Sequence, residues 1–315
     1  MSTVGWRPVT LALSYRLGEL ALFDKQFRGL VDSRHFTQRA PLQGLPAIPD
    51  APDPAPDLYF HPAYPVHSAP EPLVFFEQWI AYTPHCFINY YVDLEQLGSF
   101  DAYLGQFSSK SRWTLLRKVR RFAEADGGQL HWRKFTRPSE FDEFFHLATT
   151  ISANTYQQRL LDKGFPVSPA FIADMKARAE RQEAMGYILF LRGEAVAYEY
   201  CPCNDGIVSY SYVGYRPSVR SLSPGTVLQY LVLGALFEQR NIRLFDFTEG
   251  EGELKRFFST HGRLCAKTYF FRRNLKNIAY VLAHCSLDNL VSGVGRVLHR
   301  LSLKSRVRKL IRALA

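Results

Sequence analysis

One segment constrains the fold of this chain more than any other: a polar turn followed by a long apolar run. The turn is Ser223-Pro224-Gly225-Thr226, the apolar run covers 227–237, and a mixed segment, 242–250, follows. Ser223 suits an N-cap, Pro224 a first helical position, and Gly225 a close approach of a ligand to the backbone. The segment predicts a buried helix and then a buried strand. Its start is either an ordinary capped helix or a turn that binds phosphate through free N–H groups.

Length and composition indicate a folded protein with a polyanionic partner. The chain has 315 residues, of which 47% are hydrophobic and 22% charged, and its formal net charge is +10. One large or two medium domains are expected. The charge suits a nucleic acid, a phosphorylated cofactor, an acidic carrier protein or an anionic membrane, and does not choose among them.

Cysteine usage and the N-terminal sequence predict a cytoplasmic protein. The odd, scattered set of five cysteines argues against a disulfide framework, and no second Cys/His pair gives a metal-site spacing: Cys86, Cys201, Cys203, Cys265 and Cys285. No signal peptide and no spanning helix are visible. We therefore expect no metal and a cytoplasmic location, with peripheral contact to the inner membrane as an added hypothesis.

The first part of the chain gives weaker patterns. Residues 9–17 predict a strand and 18–31 a short helix, while 41–72 holds ten of the eighteen prolines and is expected to be an extended surface connection. Residues 73–82 and 86–92 resemble two paired strands. A helix capped at Ser108-Ser109 should then run to about Ala125.

That helix has an apolar stripe and a basic face. The predicted core stripe is Trp113, Leu116, Val119, Phe122 and Ala123. The basic face consists of Lys110, Arg112, Arg117, Lys118, Arg120 and Arg121. Because both aromatic residues are assigned to the core, neither a platform for stacking bases nor a nucleic-acid partner is expected.

From residue 130 to 272 the patterns alternate in a regular order: strand, helix, loop, helix, three strands, helix, strand, helix, strand. The tail from 274 predicts one or two helices broken near Ser292-Gly293. After Asp288 it contains seven basic residues and no acid. Either this tail packs on its own domain, or residues 289–315 bind an anionic membrane surface.

The element order and five local motifs resemble the GNAT acyltransferases of the CelD/BcsL type, which are linked to cellulose and other exopolysaccharide biosynthesis. The motifs are ISANTYQ at 151–157, GYRP at 214–217, SPGTVL at 223–228, FDFTEG at 245–250 and LK at 254–255. Thr248 departs from the glycine usual in this family, and Leu254 from an aromatic residue. The basic helix that begins near Ser109 also resembles the family.

The resemblance implies an α/β GNAT fold: a mixed central sheet flanked by helices, in two GNAT-like halves as in the related Fem aminoacyltransferases. Residues 1–126 would be a degenerate N-terminal half with the Pro-rich insert 41–72. Residues 127–273 would be the catalytic GNAT domain, and 274–315 a basic helical tail.

The same resemblance implies an acyl-CoA donor, most simply acetyl-CoA, whose pyrophosphate lies on the turn before the apolar helix. The expected donor-binding residues are Arg216, Arg220, Ser223, Gly225 and Thr226. The candidate general bases are Glu199, Asp246 and Glu249, each with a purely structural role as the alternative. Tyr156, Gln157 and Lys255 are expected to contact the acceptor, a saccharide, amino-sugar or related small molecule.

Three functional hypotheses follow. The first is an acyl-CoA-dependent N- or O-acyltransferase. The second keeps the fold with an aminoacyl-tRNA or acyl-carrier-protein donor, held by the basic helix. The third is a non-catalytic accessory protein of a polysaccharide synthase.

Overall fold

The computed structural model describes residues 5–17, 20–49, 56–153 and 164–300. Two compact units divide the chain: residues 89–262 form one, and the other combines the chain up to residue 88 with the chain from 263 onward. The predicted boundaries near 126 and 273 are not tested by this division and remain predictions. The mixed α/β class is confirmed.

Twelve strands and eight α-helices lie in the described residues. The strands are β1 (Trp6–Leu17), β2 (Leu20–Asp32), β3 (Leu58–Pro65), β4 (Leu73–Phe75), β5 (Trp79–Asp93), β6 (Trp132–Phe135), β7 (Ala184–Leu191), β8 (Glu194–Asn204), β9 (Ile207–Ser209), β10 (Tyr212–Tyr215), β11 (Leu244–Asp246) and β12 (His261–Arg272). The helices are α1 (Leu94–Leu97), α2 (Phe100–Gly105), α3 (Ser109–Ala125), α4 (Phe141–Ala153), α5 (Pro169–Glu180), α6 (Pro224–Phe237), α7 (Glu253–Phe258) and α8 (Leu275–Arg300).

The unit built from both ends of the chain begins with a long hairpin. β1 pairs antiparallel with β2 from Trp6–Asp32 to Leu17–Leu20, β2 pairs parallel with β3, and β3 pairs antiparallel with β12. The predicted helix at 18–31 is therefore wrong. Pairing with β1 supplies hydrogen-bond partners along the whole of β2, and this non-local pairing overrides the weak local preference.

β5 corrects a second prediction, that of two strands separated at Thr83-Pro84-His85. The strand is continuous across these residues, and it is β4 that pairs with its first part. The N–H of Thr83 donates to the carbonyl of Pro72 at 2.8 Å. Proline, which has no N–H, is tolerated in a strand where its ladder position needs no donor. Residues 79–88 belong to the first unit and 89–93 to the second.

In the unit formed by residues 89–262, the sheet follows the order β5, β11, β9, β8, β7, β6, and β10 also pairs with β8. Helices α4 and α5 pack on one face, where their aromatic side chains meet Tyr198 and Tyr200 of β8. Alternate residues of a strand point to opposite faces. Glu199 and Cys201 therefore face the opposite side from these tyrosines. Helix α6 packs against β7, β8 and β10.

Helix α3 begins as predicted but is rotated relative to the predicted stripe. The hydroxyl of Ser108 accepts from the N–H of Ser111, which caps the helix. Leu115 and Phe122, seven residues apart, are the buried positions, whereas Trp113 is 58% and Leu116 41% exposed. The prediction of Trp113 and Leu116 as core residues is wrong, because the true stripe passes through Leu115 instead.

Helix α8 is continuous through residue 300, so the predicted break near Ser292-Gly293 is absent. A glycine inside a helix costs about 1 kcal/mol relative to alanine, which a long helix can tolerate. No helix in the described part of the chain has the length and apolar content needed to cross a membrane.

Candidate active site

The central feature of the unit formed by residues 89–262 is a pair of parallel strands that separate. β9 runs parallel to β11, with Ser209 opposite Asp246, and the N–H of Tyr210 donates to the carbonyl of Asp246 at 2.9 Å. Beyond this point the chain continues as β10, which pairs only with β8 among the described strands. The sheet thus opens between β10 and the segment after β11.

Residues 216–223 connect β10, after its separation from β11, to α6. Pro217–Leu222 form a 3₁₀ helix, and Ser223 then takes a left-handed conformation with φ 55° and ψ 48°. Its side chain makes no capping hydrogen bond. Ser223 therefore occupies the N-cap position without the capping interaction that the sequence predicts. What distinguishes Ser223 at this position is its left-handed backbone, which is unusual for a residue other than glycine.

Of the three N–H groups predicted to bind a phosphate, two already have acceptors within the loop. The N–H of Ser223 donates to Arg220 and that of Thr226 to Ser223, each at 3.0 Å. The N–H of Gly225 has no acceptor within the described chain. A Cβ at Gly225 would lie 3.6 Å from the ring of Tyr215, an ordinary contact, so space alone does not require glycine here.

A cavity of about 280 Å³ adjoins the first turn of α6. Its walls come from three helices, and they combine a cation, a carboxylate and several apolar groups: Thr114, Leu115 and Lys118 of α3, Thr226 of α6, and Glu253, Leu254, Phe257 and Phe258 of α7. This cavity can accommodate part of a ligand that places an anionic group beside Lys118 and apolar atoms against the phenylalanines.

The two arginines of the loop differ in their surroundings. Arg216 donates from Nη1 to Glu194 at 2.8 Å, and its Nε is buried without a hydrogen-bond acceptor in the described chain. Arg220 is exposed in the last turn of the 3₁₀ helix. Buried N–H groups are nearly always paired, so the Nε of Arg216 is a donor available to an anion.

Glu199 lies in the middle of β8 and is only 2% exposed. Its Oε1 accepts the thiol of Cys201 at 3.3 Å. Burial raises the pKa of Glu199 to about 8, because the charged carboxylate is poorly solvated there. This side chain is therefore neutral at pH 7.

Asp246, at the end of β11, is buried and fixes the turn that follows. Its Oδ1 accepts from Nδ2 of Asn89 and from the N–H of Thr248, both at 2.8 Å. Thr248 has φ 60°, in the left-handed region that favours glycine, and its Oγ1 donates to the carbonyl of Tyr210 at 3.2 Å. The threonine at this position thus adds a link between the two separating strands.

Lys255 holds the same turn from the other side. Its ammonium donates to the carbonyls of Thr248 at 3.3 Å and Glu249 at 2.7 Å. Burial lowers the pKa of Lys255 despite the nearby charges of Asp246 and Glu249. Glu249 itself is exposed. Two of the three donors of the Lys255 ammonium are thus engaged by these two carbonyls.

The structure brings Asp246, Glu249 and Lys255 together around the turn after β11. The predicted donor-binding residues lie between the end of β10 and the first turn of α6, and Glu199 lies in β8. Tyr156 and Gln157 lie outside the described residues. The sequence missed Asn89, Lys118 as a wall of the cavity, and the partnership of Cys201 with Glu199. Only the last had a local signal, the spacing of two along a strand; the others depend on which helices and strands meet. No group of His, Cys, Asp or Glu in the described ranges could hold a metal ion.

Residues 109–256 match the family model described as an acetyltransferase (GNAT) domain. The match includes the strands that separate, the loop before α6 and the turn after β11. Over this range the chain is therefore similar to a GNAT-type acetyltransferase domain.

Solved structures with similar folds share little sequence with this chain. One is the C-terminal domain of a putative lysylphosphatidylglycerol synthetase from Agrobacterium fabrum (12% identity, TM-score 0.48, 73% of this chain and 72% of that one). A conserved protein of unknown function from Bacteroides thetaiotaomicron has 14% identity and a TM-score of 0.43, with 63% of each chain covered. FemX has 11% identity and a TM-score of 0.41, with 62% of this chain and 64% of that chain covered.

The chain thus spans less than two thirds of the length of two of these structures. Among curated proteins, none matches the chain.

Proposed function

We propose that the protein transfers an acyl group, most simply acetyl, from coenzyme A to an amine or hydroxyl of a sugar, amino-sugar or related small acceptor. The observation that carries this proposal is the separation of β10 from β11, together with the loop that leads from the end of β10 to the first turn of α6 and its cavity. A thioester between the strands would place its phosphates toward the helix start, where the dipole favours negative charge.

The chemistry of the loop fits such a donor. The free N–H of Gly225, the unpaired Nε of Arg216 and the ammonium of Lys118 are three donors that can meet phosphate oxygens. Ser223 and Thr226 contribute mainly by setting the loop conformation, since their N–H groups bond within it. Arg220, which is exposed, adds positive charge at the entrance.

Acyl transfer here needs a positioned acceptor and a group that takes its proton, with no covalent intermediate on the protein. Glu199 has a pKa near 8 and suits a base at slightly alkaline pH. Asp246 already accepts two hydrogen bonds that shape the turn, so its role is mainly to position Thr248. Glu249 is the exposed candidate, and it lies in the turn that Lys255 holds.

A role in exopolysaccharide or cell-envelope synthesis, with a cytoplasmic location and peripheral membrane contact, extends this proposal. Its support is the resemblance of the five motifs to the CelD/BcsL type. Lys255, together with Tyr156 and Gln157, would contact the acceptor. Lys255 has one further donor for that task, beside the two that hold the turn.

A second candidate is a donor carried on a polyanion, either an aminoacyl-tRNA or an acyl-carrier protein. The observation that favours it is the solvent exposure of Trp113 among the basic side chains of α3. This exposure removes the objection that the basic helix has no accessible aromatic group. A non-catalytic accessory role is the third alternative.

Gly225→Asp, compared with Gly225→Ala, tests the proposed function. A Cβ at position 225 makes only an ordinary contact, so both variants should fold, but the aspartate places a negative charge where the phosphates would lie. We expect acetyl-CoA to stabilise the wild type and Gly225→Ala in thermal-shift and calorimetric titrations, and not Gly225→Asp. Equal binding by the two variants, or no binding of any acyl-CoA by the wild type, would contradict the proposal. Retarded migration of tRNA at physiological salt would instead favour the second candidate.

A further inference from the structure

The outer face of α3 is strongly basic and contains two exposed apolar side chains at its centre. This α3 outer face comprises Lys110, Arg112, Trp113, Leu116, Arg117, Arg120, Arg121 and Glu124, all exposed. It thus carries five cations and one anion, and that anion lies 4.0 Å from Arg120. The buried side of the same helix, through Leu115 and Phe122, already packs in the core. Nothing in the described chain covers the outer side.

The arrangement within this face distinguishes it from an ordinary solvated helix. Trp113 and Leu116, 58% and 41% exposed, are three positions apart and so lie side by side on the helix surface. Lys110 and Arg112 precede the pair, and Arg117, Arg120 and Arg121 follow it. Covering the exposed indole of Trp113 with a partner would be favourable, because burial of an aromatic side chain lowers the free energy.

We propose that the α3 outer face binds the surface of an anionic phospholipid bilayer. Trp113 and Leu116 would enter the boundary between headgroups and acyl chains. The surrounding arginines and Lys110 would reach the phosphates through their flexible stems. A bilayer surface combines dense negative charge with an apolar layer beneath it. The α3 outer face has the complementary pattern, an apolar pair with cations on both sides.

Two other partners fit these observations less well. A nucleic acid would stack bases on the indole, but one face of the Trp113 ring is already covered by the guanidinium of Arg117. A carrier protein would need a concave surface that is complementary to its own shape. The cavity near α3 lies on its inner flank, at Thr114, Leu115 and Lys118, and not among the exposed side chains. This inference is independent of the proposed acyl donor and acceptor.

The test follows the fluorescence of Trp113 in the full chain. The chain has four tryptophans, and the difference between wild type and Trp113→Phe isolates the signal of this one. Vesicles of phosphatidylcholine with phosphatidylglycerol should shift the Trp113 emission to shorter wavelength, while pure phosphatidylcholine vesicles should not. This readout is specific to α3, whereas flotation alone would also detect binding through the basic tail.

Charge variants make the test quantitative. Arg112→Gln with Arg121→Gln removes two cations from the face, and each should weaken vesicle binding, followed by the Trp113 shift, about fivefold. Arg240→Gln with Lys276→Gln changes the net charge equally at exposed positions outside the face and should have little effect.

An unchanged Trp113 emission on anionic vesicles would overturn the proposal, as would equal weakening by the two double variants. A shift produced by tRNA or by polyglutamate, with none on vesicles, would assign the face to a nucleic acid or an acidic protein instead.

Discussion

At the scale of single residues, the site depends on side chains whose environments oppose their usual behaviour. Ser223 has a left-handed backbone and does not cap its helix, and Glu199 is a buried acid with a pKa near 8. Thr248 occupies a left-handed position that suits glycine and uses its hydroxyl to link two strands. Each of these three features lowers the stability of the fold. Strained backbone and buried polar side chains are often found at functional sites.

Ser223→Gly should stabilise the protein by about 1 kcal/mol, because glycine adopts the left-handed conformation without the steric penalty of a side chain. Ser223→Ala should be close to neutral, since no capping hydrogen bond is lost. Urea denaturation of the three proteins checks both expectations. A loss of about 1 kcal/mol in the alanine variant, as for an ordinary N-cap, would show that the hydroxyl is capping after all.

Glu199→Gln should remove a pH dependence of stability. The folded-state pKa is raised, so the stability contributed by protonation is fully present below the ordinary Glu pKa of 4.5 and is lost as pH rises to about 8. The free energy of unfolding of the wild type should therefore decrease from pH 5 to pH 8, by up to about 1.4 kcal/mol per pH unit from this group.

In the glutamine variant this part of the slope should be absent. Parallel slopes for the two proteins in denaturation at pH 5, 6.5 and 8 would show that Glu199 is ionised in the fold. The same variant also separates the roles of this acid, because loss of activity with unchanged donor binding would indicate a base.

At the scale of elements, α3 and the loop before α6 decide how the site is built. Helix α3 turns Leu115 and Phe122 into the core, places Lys118 in the cavity, and leaves Trp113 in solvent. The loop positions one free N–H, that of Gly225, at the start of α6. The arrangement combines a helix from before the separating strands with the helix that follows them, so neither segment forms the cavity by itself.

Phe122→Ala should destabilise the unit formed by residues 89–262 by about 3–5 kcal/mol, because it removes a fully buried ring. Trp113→Ala, on the exposed face of the same helix, should change the free energy of unfolding by less than about 0.5 kcal/mol. Chemical denaturation of the pair measures both. A large cost for the tryptophan would mean that the helix is rotated toward the stripe predicted from sequence.

At the scale of the whole molecule, the chain contains two units with separate hydrophobic cores. The core of residues 89–262 is built around Phe144, Phe165 and Tyr200. The other unit has its own cluster around Tyr15, Tyr82 and Phe271. The second also buries a charged group, Asp32, which contacts Arg34, Arg39 and His61. The residues proposed for donor binding belong to the first unit alone.

Asp32→Asn should destabilise the unit built from both chain ends by about 3–5 kcal/mol, because it leaves the buried Arg39 without its charge partner. Although burial opposes ionisation, bonds from His61 and Arg34 and the charge of Arg39 hold the pKa of Asp32 well below its usual value. Its stabilising contribution is therefore present at neutral pH and lost as the pH falls below the ordinary range of aspartate.

Calorimetry checks whether the two units unfold separately. Asp32→Asn should lower one thermal transition and leave the stabilisation by acetyl-CoA intact, while Phe122→Ala should lower the other. If both variants lower a single shared transition equally, the two cores unfold as one.

The sequence by itself determined the parts of this protein that depend on local periodicity and on motifs. The order of elements from 130 to 272 follows from spacing and from residue preferences, except that the third of the three predicted strands is two strands, β9 and β10. The helix after Ser223 and the cap at Ser108 follow from the same signals. The resemblance to GNAT acyltransferases also comes from the sequence, since the motifs from ISANTYQ to LK carry it. These features need only neighbours along the chain.

Only the tertiary structure decided the rest, because it depends on residues distant in sequence. Pairing with β1 makes a strand of 20–32, and packing against the body of its unit rotates α3 so that Leu115 is buried and Trp113 exposed. Asn89 reaches Asp246 across 157 positions, and Lys118 meets the start of α6. The burial that raises the pKa of Glu199 likewise arises only when the helices and strands pack, because the residues that cover this side chain cannot be inferred from its neighbours in sequence.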